Sequence, residues 1–201
     1  MASRRRPRPS KKGVRYTMRG IASPAQLRMS FLRYALFTVP LVLFLGILSG
    51  RASNSGYGNS WFDALIKPSF MPPGWTFGVV WTLLYIALGL SLALVLHARG
   101  ARGRGLAVGL FVAQLLLNFA WSPIFFALHR VDLALALLAA MLILSVAIVV
   151  LFVRIRPAAA WLMIPYVAWL LFASLLTWEV NRLNPDAEAL VPQRGSTEIE
   201  L

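Results

Sequence analysis

Three tryptophans, a tyrosine and a lone lysine crowd residues 61–85: Trp61, Lys67, Trp75, Trp81 and Tyr85. An indole offers a broad apolar face and one N–H donor, and a phenol offers a face and a hydroxyl. Further along, Gln114, Asn118 and Trp121 form a second set, and Tyr166 and Trp169 a third. Tryptophan walls with a few amides suit a large, flat, mostly apolar ligand. The residue sets of ordinary catalysis are missing. There is no cysteine, which excludes disulfides, thiol catalysis and thiolate metal sites. His97 and His129, the only histidines, end two successive hydrophobic runs and fall on opposite membrane faces, so no shared metal ion is expected. No paired carboxylates stand at a spacing that suggests acid–base work.

The elements that must position these residues are membrane helices. The chain is 59% hydrophobic over 201 residues, and a span needs about 20 largely apolar residues. Five runs meet that length, roughly 31–49, 74–97, 106–128, 132–153 and 158–178. The expected fold is all-α: a five-helix membrane domain over residues 30–184, with a basic tail at 1–29 and a polar, acidic tail at 185–201. Arg4 to Arg33 form a basic block with no acid, and Arg99, Arg102, Arg104, Arg154 and Arg156 occupy two further connectors. The acids Asp63, Asp132, Glu179, Asp186, Glu188, Glu198 and Glu200 fall in the alternate ones. The positive-inside rule then places the N-terminus inside and the C-terminus outside. The basic tail reads first as a segment drawn to anionic lipid, next as an organelle transit peptide, and last as a nucleic-acid binder; no nucleic-acid partner is expected. A bacterial membrane is the favoured location, with a mitochondrial or plastid membrane as the alternative.

Spacing groups the chemical residues by helix face. Gly74, Gly78, Trp81 and Tyr85 recur at i, i+4, i+7 and i+11, which makes a concave strip of small and aromatic residues; close helix packing would use the same pattern. Gln114, Asn118 and Trp121 share another face. Carboxamides so deep in a membrane either bond helix to helix or serve a ligand. Leu162, Tyr166, Trp169, Ala173 and Leu176 share a third. The fourth run, with Ser145 its only polar interior residue, reads as filling or lipid-facing surface. Gly105, Gly109 and Ala113 form a small-residue ladder suited to a homodimer contact. The connector before the second span is stiffened by Lys67-Pro68 and Pro72-Pro73, so it is expected to be extended or turned and not helical. Aromatics on such a loop suit an interfacial anchor or a lid. Lys67 either meets a polar ligand edge or snorkels to the interface.

Taken together, Trp61-Phe-Asp-x-Leu-x-Lys-Pro-x-Phe-x-Pro-Pro-x-Trp75, Trp81 and Tyr85, Gln114-Leu-x-Leu-Asn118-x-x-Trp121-Ser-Pro-Ile-Phe-Phe, Pro165-Tyr-x-x-Trp169 and Arg182-Leu-Asn184 resemble the tryptophan-rich sensory protein/translocator protein (TspO/MBR) family. The resemblance implies a five-helix, commonly dimeric membrane protein that binds porphyrins such as protoporphyrin IX, with no resident cofactor, as a tetrapyrrole or stress sensor, scavenger or carrier. It implies pocket positions for Trp81, Tyr85, Asn118, Trp121 and Trp169, and a lid of Trp61, Lys67, Pro68 and Trp75. Some members are credited with light- and oxygen-dependent porphyrin breakdown, and Trp81 and Trp169 match the tryptophans tied to it. Two positions depart from the pattern. Thr177 stands where many members have asparagine. Trp178 stands between Leu176 and Arg182 where the cholesterol-associated pattern has tyrosine, so cholesterol is not expected as the main ligand.

Overall fold

The computed structural model describes residues 24–190; most of the expected basic tail and of the expected acidic tail lies outside these residues. Six α-helices follow in order: α1 Pro24–Ala52, α2 Ser60–Ala64, α3 Gly74–His97, α4 Arg104–Ser122, α5 Val131–Ile155 and α6 Pro157–Leu183. Among the described residues five helices are long and apolar enough to cross a membrane, namely all but α2. The chain is an integral membrane protein. The helices start and stop within a few residues of the hydrophobic runs, except that α1 begins at Pro24, well inside the segment expected to be tail.

The helices pack in the ring order α1–α3–α6–α5–α4, with α4 closing back on α1 and α3. Between them lies a core that includes Leu88, Phe111, Met141, Ile148, Phe152, Met163 and Leu170. Two contacts bring α1 and α3 together. Gly89 of α3 lies so close to α1 that a Cβ there would stand 2.6 Å from the Val39 Cα, and its carbonyl accepts a hydrogen bond from Thr38 Oγ1 at 2.7 Å. Reciprocally, Gly46 of α1 leaves room for the Tyr85 ring of α3.

Proline shapes the end of α4. Pro123 has no N–H, so it cannot bond the Phe119 carbonyl; Ser49 Oγ of α1 donates to that carbonyl instead. The chain continues as a π-helical turn, Pro123–Ala127, in which Leu128 N donates to Pro123 O at 2.9 Å.

The loop between α1 and α3 corrects one expectation. Residues 60–64 are helical, because the prolines act only from Pro68 onward and Asn59 caps the turn. The Asn59 side chain accepts from Phe62 N at 3.0 Å and donates to Asn54 O and Phe126 O, each at 3.1 Å. This short helix pushes Trp61, Phe62 and Leu65 into a second cluster with Phe125, Phe126, Val131, Ala134, Val180 and Ala187, which plugs this end of the bundle.

Candidate functional site

Beneath the plug lies a cavity of about 700 Å³. Its aromatic wall comprises Phe77, Trp81 and Tyr85 of α3, Trp121 of α4, Phe125 and Phe126 of the π-helical turn, and Trp169 and Phe172 of α6. Trp81 occupies the centre of this wall. Its ring centroid lies 5.2 Å from Tyr85, 6.4 Å edge-to-face from Trp169 and 6.5 Å from Tyr166. Trp121 stacks on Phe125 at 5.1 Å, and its buried indole N–H has no acceptor. The strip Gly74, Gly78, Trp81 and Tyr85 faces this space, as do Ala173, Leu176 and Thr177.

A buried polar network underlies the wall. Tyr85 Oη donates to Asn118 Oδ1 at 3.1 Å, and Asn118 Nδ2 donates to Tyr166 Oη at 3.0 Å. Gln114 Nε2 donates to the same Tyr166 oxygen, which lies 4.0 Å from Met141 Sδ. Amides in a membrane interior need partners, and here four side chains on α3, α4 and α6 bond one another, with Gln114 Oε1 alone of the two amides' polar atoms left without a partner. Of the two uses open to the carboxamides, Gln114 takes the helix-to-helix one. It and Tyr166 are fully buried and do not line the cavity. Asn118 joins the network and the cavity wall at once.

The loop residues divide in a similar way. Trp61 is 1% exposed, stacked on His129 at 4.4 Å, and donates from Nε1 to Ala187 O at 2.8 Å. Lys67 Nζ donates to the carbonyls of Phe62, Asp63 and Leu65 at 2.8, 3.2 and 3.3 Å, with the Phe62 ring 4.8 Å away. Its ammonium is spent on the end of α2. Pro68 is buried and turns the chain by accepting from Met71 N. Trp75 is 72% exposed on the first turn of α3, a position suited to a membrane-interface belt. None of these four lines the cavity; Tyr57, Phe62 and Met71 are the aromatic and apolar loop side chains that do.

Sequence reasoning missed several contributors. Gly46 and Gly50 of α1 line the cavity, and their small-x-x-x-small spacing was the signal. Leu138 and Met141 of α5 line it as well; they carry no polar mark, and only the ring order turns that face inward. Asn184 anchors the loop. Its Oδ1 accepts from Ile66 N at 2.8 Å and its Nδ2 donates to Ile66 O at 2.9 Å. Gly105, Gly109 and Ala113 face outward on α4, and the two glycines have open space where a Cβ would sit.

The loop anchor gives a direct prediction. Asn184→Ala removes both bonds to Ile66 while leaving the spans intact. We expect chymotrypsin to cut after the exposed Phe70 of this loop several-fold faster, with helical circular dichroism unchanged; equal cleavage rates would refute the anchoring role.

A sequence model of the TspO/MBR family matches residues 38–183. The chain belongs to the TspO/MBR family. Its match to the family takes in every helix that lines the cavity and stops short of both tails. This TspO/MBR chain is 39% identical to the human translocator protein over 142 residues, 70% of this chain and 84% of the relative. It is 38% identical to the tryptophan-rich protein TspO of Chlorobaculum tepidum over 128 residues, 63% and 81% of the two chains. With the tryptophan-rich sensory protein of Cereibacter sphaeroides it shares 35% identity over 155 residues, 73% and 96%.

Proposed function

We propose that this TspO/MBR membrane protein binds a porphyrin such as protoporphyrin IX in the cavity between the helices, and acts as a tetrapyrrole or stress sensor, scavenger or carrier. One observation carries the reading. A space of about 700 Å³ is walled by Trp81, Trp121 and Trp169, within the range of about 300–1,000 Å³ usual for small-molecule sites. The porphyrin ring stacks on indole faces, and the 54–73 loop closes over the ligand. Functional units are homodimers joined along the outward Gly105–Gly109–Ala113 face, where small residues allow close helix approach. The loop end faces outward by the charge bias.

Titration with protoporphyrin IX in detergent tests the reading. Saturable quenching of tryptophan fluorescence is expected in the dark, and Trp81→Ala should weaken it about tenfold or more, since base-sized aromatic stacking contributes about 1–3 kcal/mol. Unsaturable or absent quenching would sink it.

A second reading, light- and oxygen-dependent breakdown of the porphyrin, is favoured by the edge-to-face Trp81–Trp169 pair, both of whose rings border the cavity. An indole there can give an electron to an excited ring. Illumination in air should then bleach the Soret band, and Trp81→Phe with Trp169→Phe should slow bleaching more than binding. A stable Soret band would remove this reading and leave binding standing.

A further inference from the structure

We infer that Arg51 sets the polarity of the ligand: the site takes a flat apolar molecule that carries a carboxylate, or a similar anion, at one edge. The inference rests on the flat-ligand reading of the cavity and adds a sign and a position to it. Among the described residues Arg51 is the only charged one that lines the cavity. It lies in the last turn of α1, exposed at the rim, and among the described residues it makes no ion pair and no side-chain hydrogen bond. Lys67, for which a polar ligand edge was one of two expected uses, is committed to three carbonyls and does not reach the cavity.

Among the described residues, four of the five acids at this end of the bundle are engaged elsewhere, and the fifth, Asp186, does not line the cavity. Asp63 accepts from Gly58 N at 2.9 Å. Glu179 pairs with Arg182, Glu188 with Arg130 at 3.1 Å, and Asp132 accepts from Asn181 Nδ2 at 2.9 Å. Asn54 and Ser55, which follow Arg51 closely in the chain, line the same space and add polar groups to that edge. Below them the wall is aromatic and aliphatic, broken only by the hydroxyls and amide of Thr82, Asn118, Ser122 and Thr177.

This layout has a physical logic. A guanidinium presents a planar fork that a carboxylate meets with two parallel hydrogen bonds. At the rim both charges keep part of their water, so the large desolvation cost of a buried pair is avoided. The low-dielectric wall on one side still makes the attraction stronger than in bulk water. A cation in the last turn of α1 also complements the helix dipole, and a side chain directed at bulk water would serve that purpose equally. Arg51 borders the ligand space instead. A flat cation would meet the same guanidinium as a like charge and be rejected.

The test compares protoporphyrin IX, which carries two carboxylates, with its uncharged dimethyl ester, by tryptophan quenching of the full chain in a neutral detergent. The wild type should bind the free acid about tenfold more tightly than the ester. Arg51→Gln should bring that ratio to about one, and Arg51→Lys should retain part of it. Arg130→Gln, which alters an exposed cation at the same end that lies outside the cavity lining, should leave the ratio at about ten. Raising salt from about 0.05 M to about 0.5 M should shrink the wild-type ratio, because the rim is open to counterions. Equal affinity of the wild type for the two probes would overturn the inference while keeping the flat-ligand reading, as would a preference that survives Arg51→Gln. Quenching by neither probe would overturn both.

Discussion

Gly89→Val is expected to lower the stability of the bundle by about 3 kcal/mol, at the upper end of what overpacking costs. The reason is the kind of atom in the way. A Cβ at residue 89 would meet the Val39 Cα at 2.6 Å and its N at 3.0 Å, and a helix backbone cannot rotate aside as a flexible side chain can. The helices α1 and α3 must separate, and separation breaks the Thr38 hydrogen bond to the Gly89 carbonyl. It also withdraws Gly46 from the Tyr85 ring, which loosens one wall of the cavity. Thermal unfolding in detergent, followed by circular dichroism, should show the midpoint falling in the order glycine, alanine, valine. An alanine variant as stable as wild type would show that the two helices are not held at this distance.

Asn118→Leu is the second large effect, with an expected loss of about 2 kcal/mol. Single hydrogen bonds between membrane helices average about 0.6 kcal/mol, so one lost bond would be a minor matter. Asn118, however, accepts from Tyr85 and donates to Tyr166. Leucine has nearly the same volume and can do neither. Tyr166 keeps its bond from Gln114, whereas the Tyr85 hydroxyl loses its one acceptor in a buried setting, the case in which an unmade bond is most costly. The two residues should therefore be strongly coupled. Adding Tyr85→Phe to Asn118→Leu removes the orphaned hydroxyl and should recover about 1 kcal/mol. Simple addition of the two single losses would contradict the network.

The sequence made the helices legible because a membrane demands a certain apolar length, about 20 residues, and each of the five runs comes close to it or passes it. Helical spacing also identified which residues share a face. It could not say how far along that face the cavity extends. Gln114 and Asn118 are one turn apart, and the upper one meets ligand space while the lower one is enclosed by packing with Tyr166. Lys67 was visible as a lone cation among aromatics, but its three carbonyl partners arise from the way α2 ends, and α2 is too short to leave a periodic signal. Arg51 was lost for the opposite reason: it followed an apolar run, as basic residues commonly do, and nothing local marked the space beside it. Asn184 stood out only through the family pattern, since its partner Ile66 lies 118 residues away.

That separation has a consequence for how the protein is made. A chain emerges from the ribosome N-terminus first, and its parts order in sequence. The 54–73 loop is synthesised before any of the last four spans, yet two of its anchors, the Asn184 side chain and the Ala187 carbonyl, arrive only after the final span. Closure of the plug is therefore a late event in biogenesis, and a nascent chain halted after α5 should carry its early helices with the loop still untethered. Protease added to stalled chains tests this timing: the loop should become resistant only once residue 187 has cleared the ribosome.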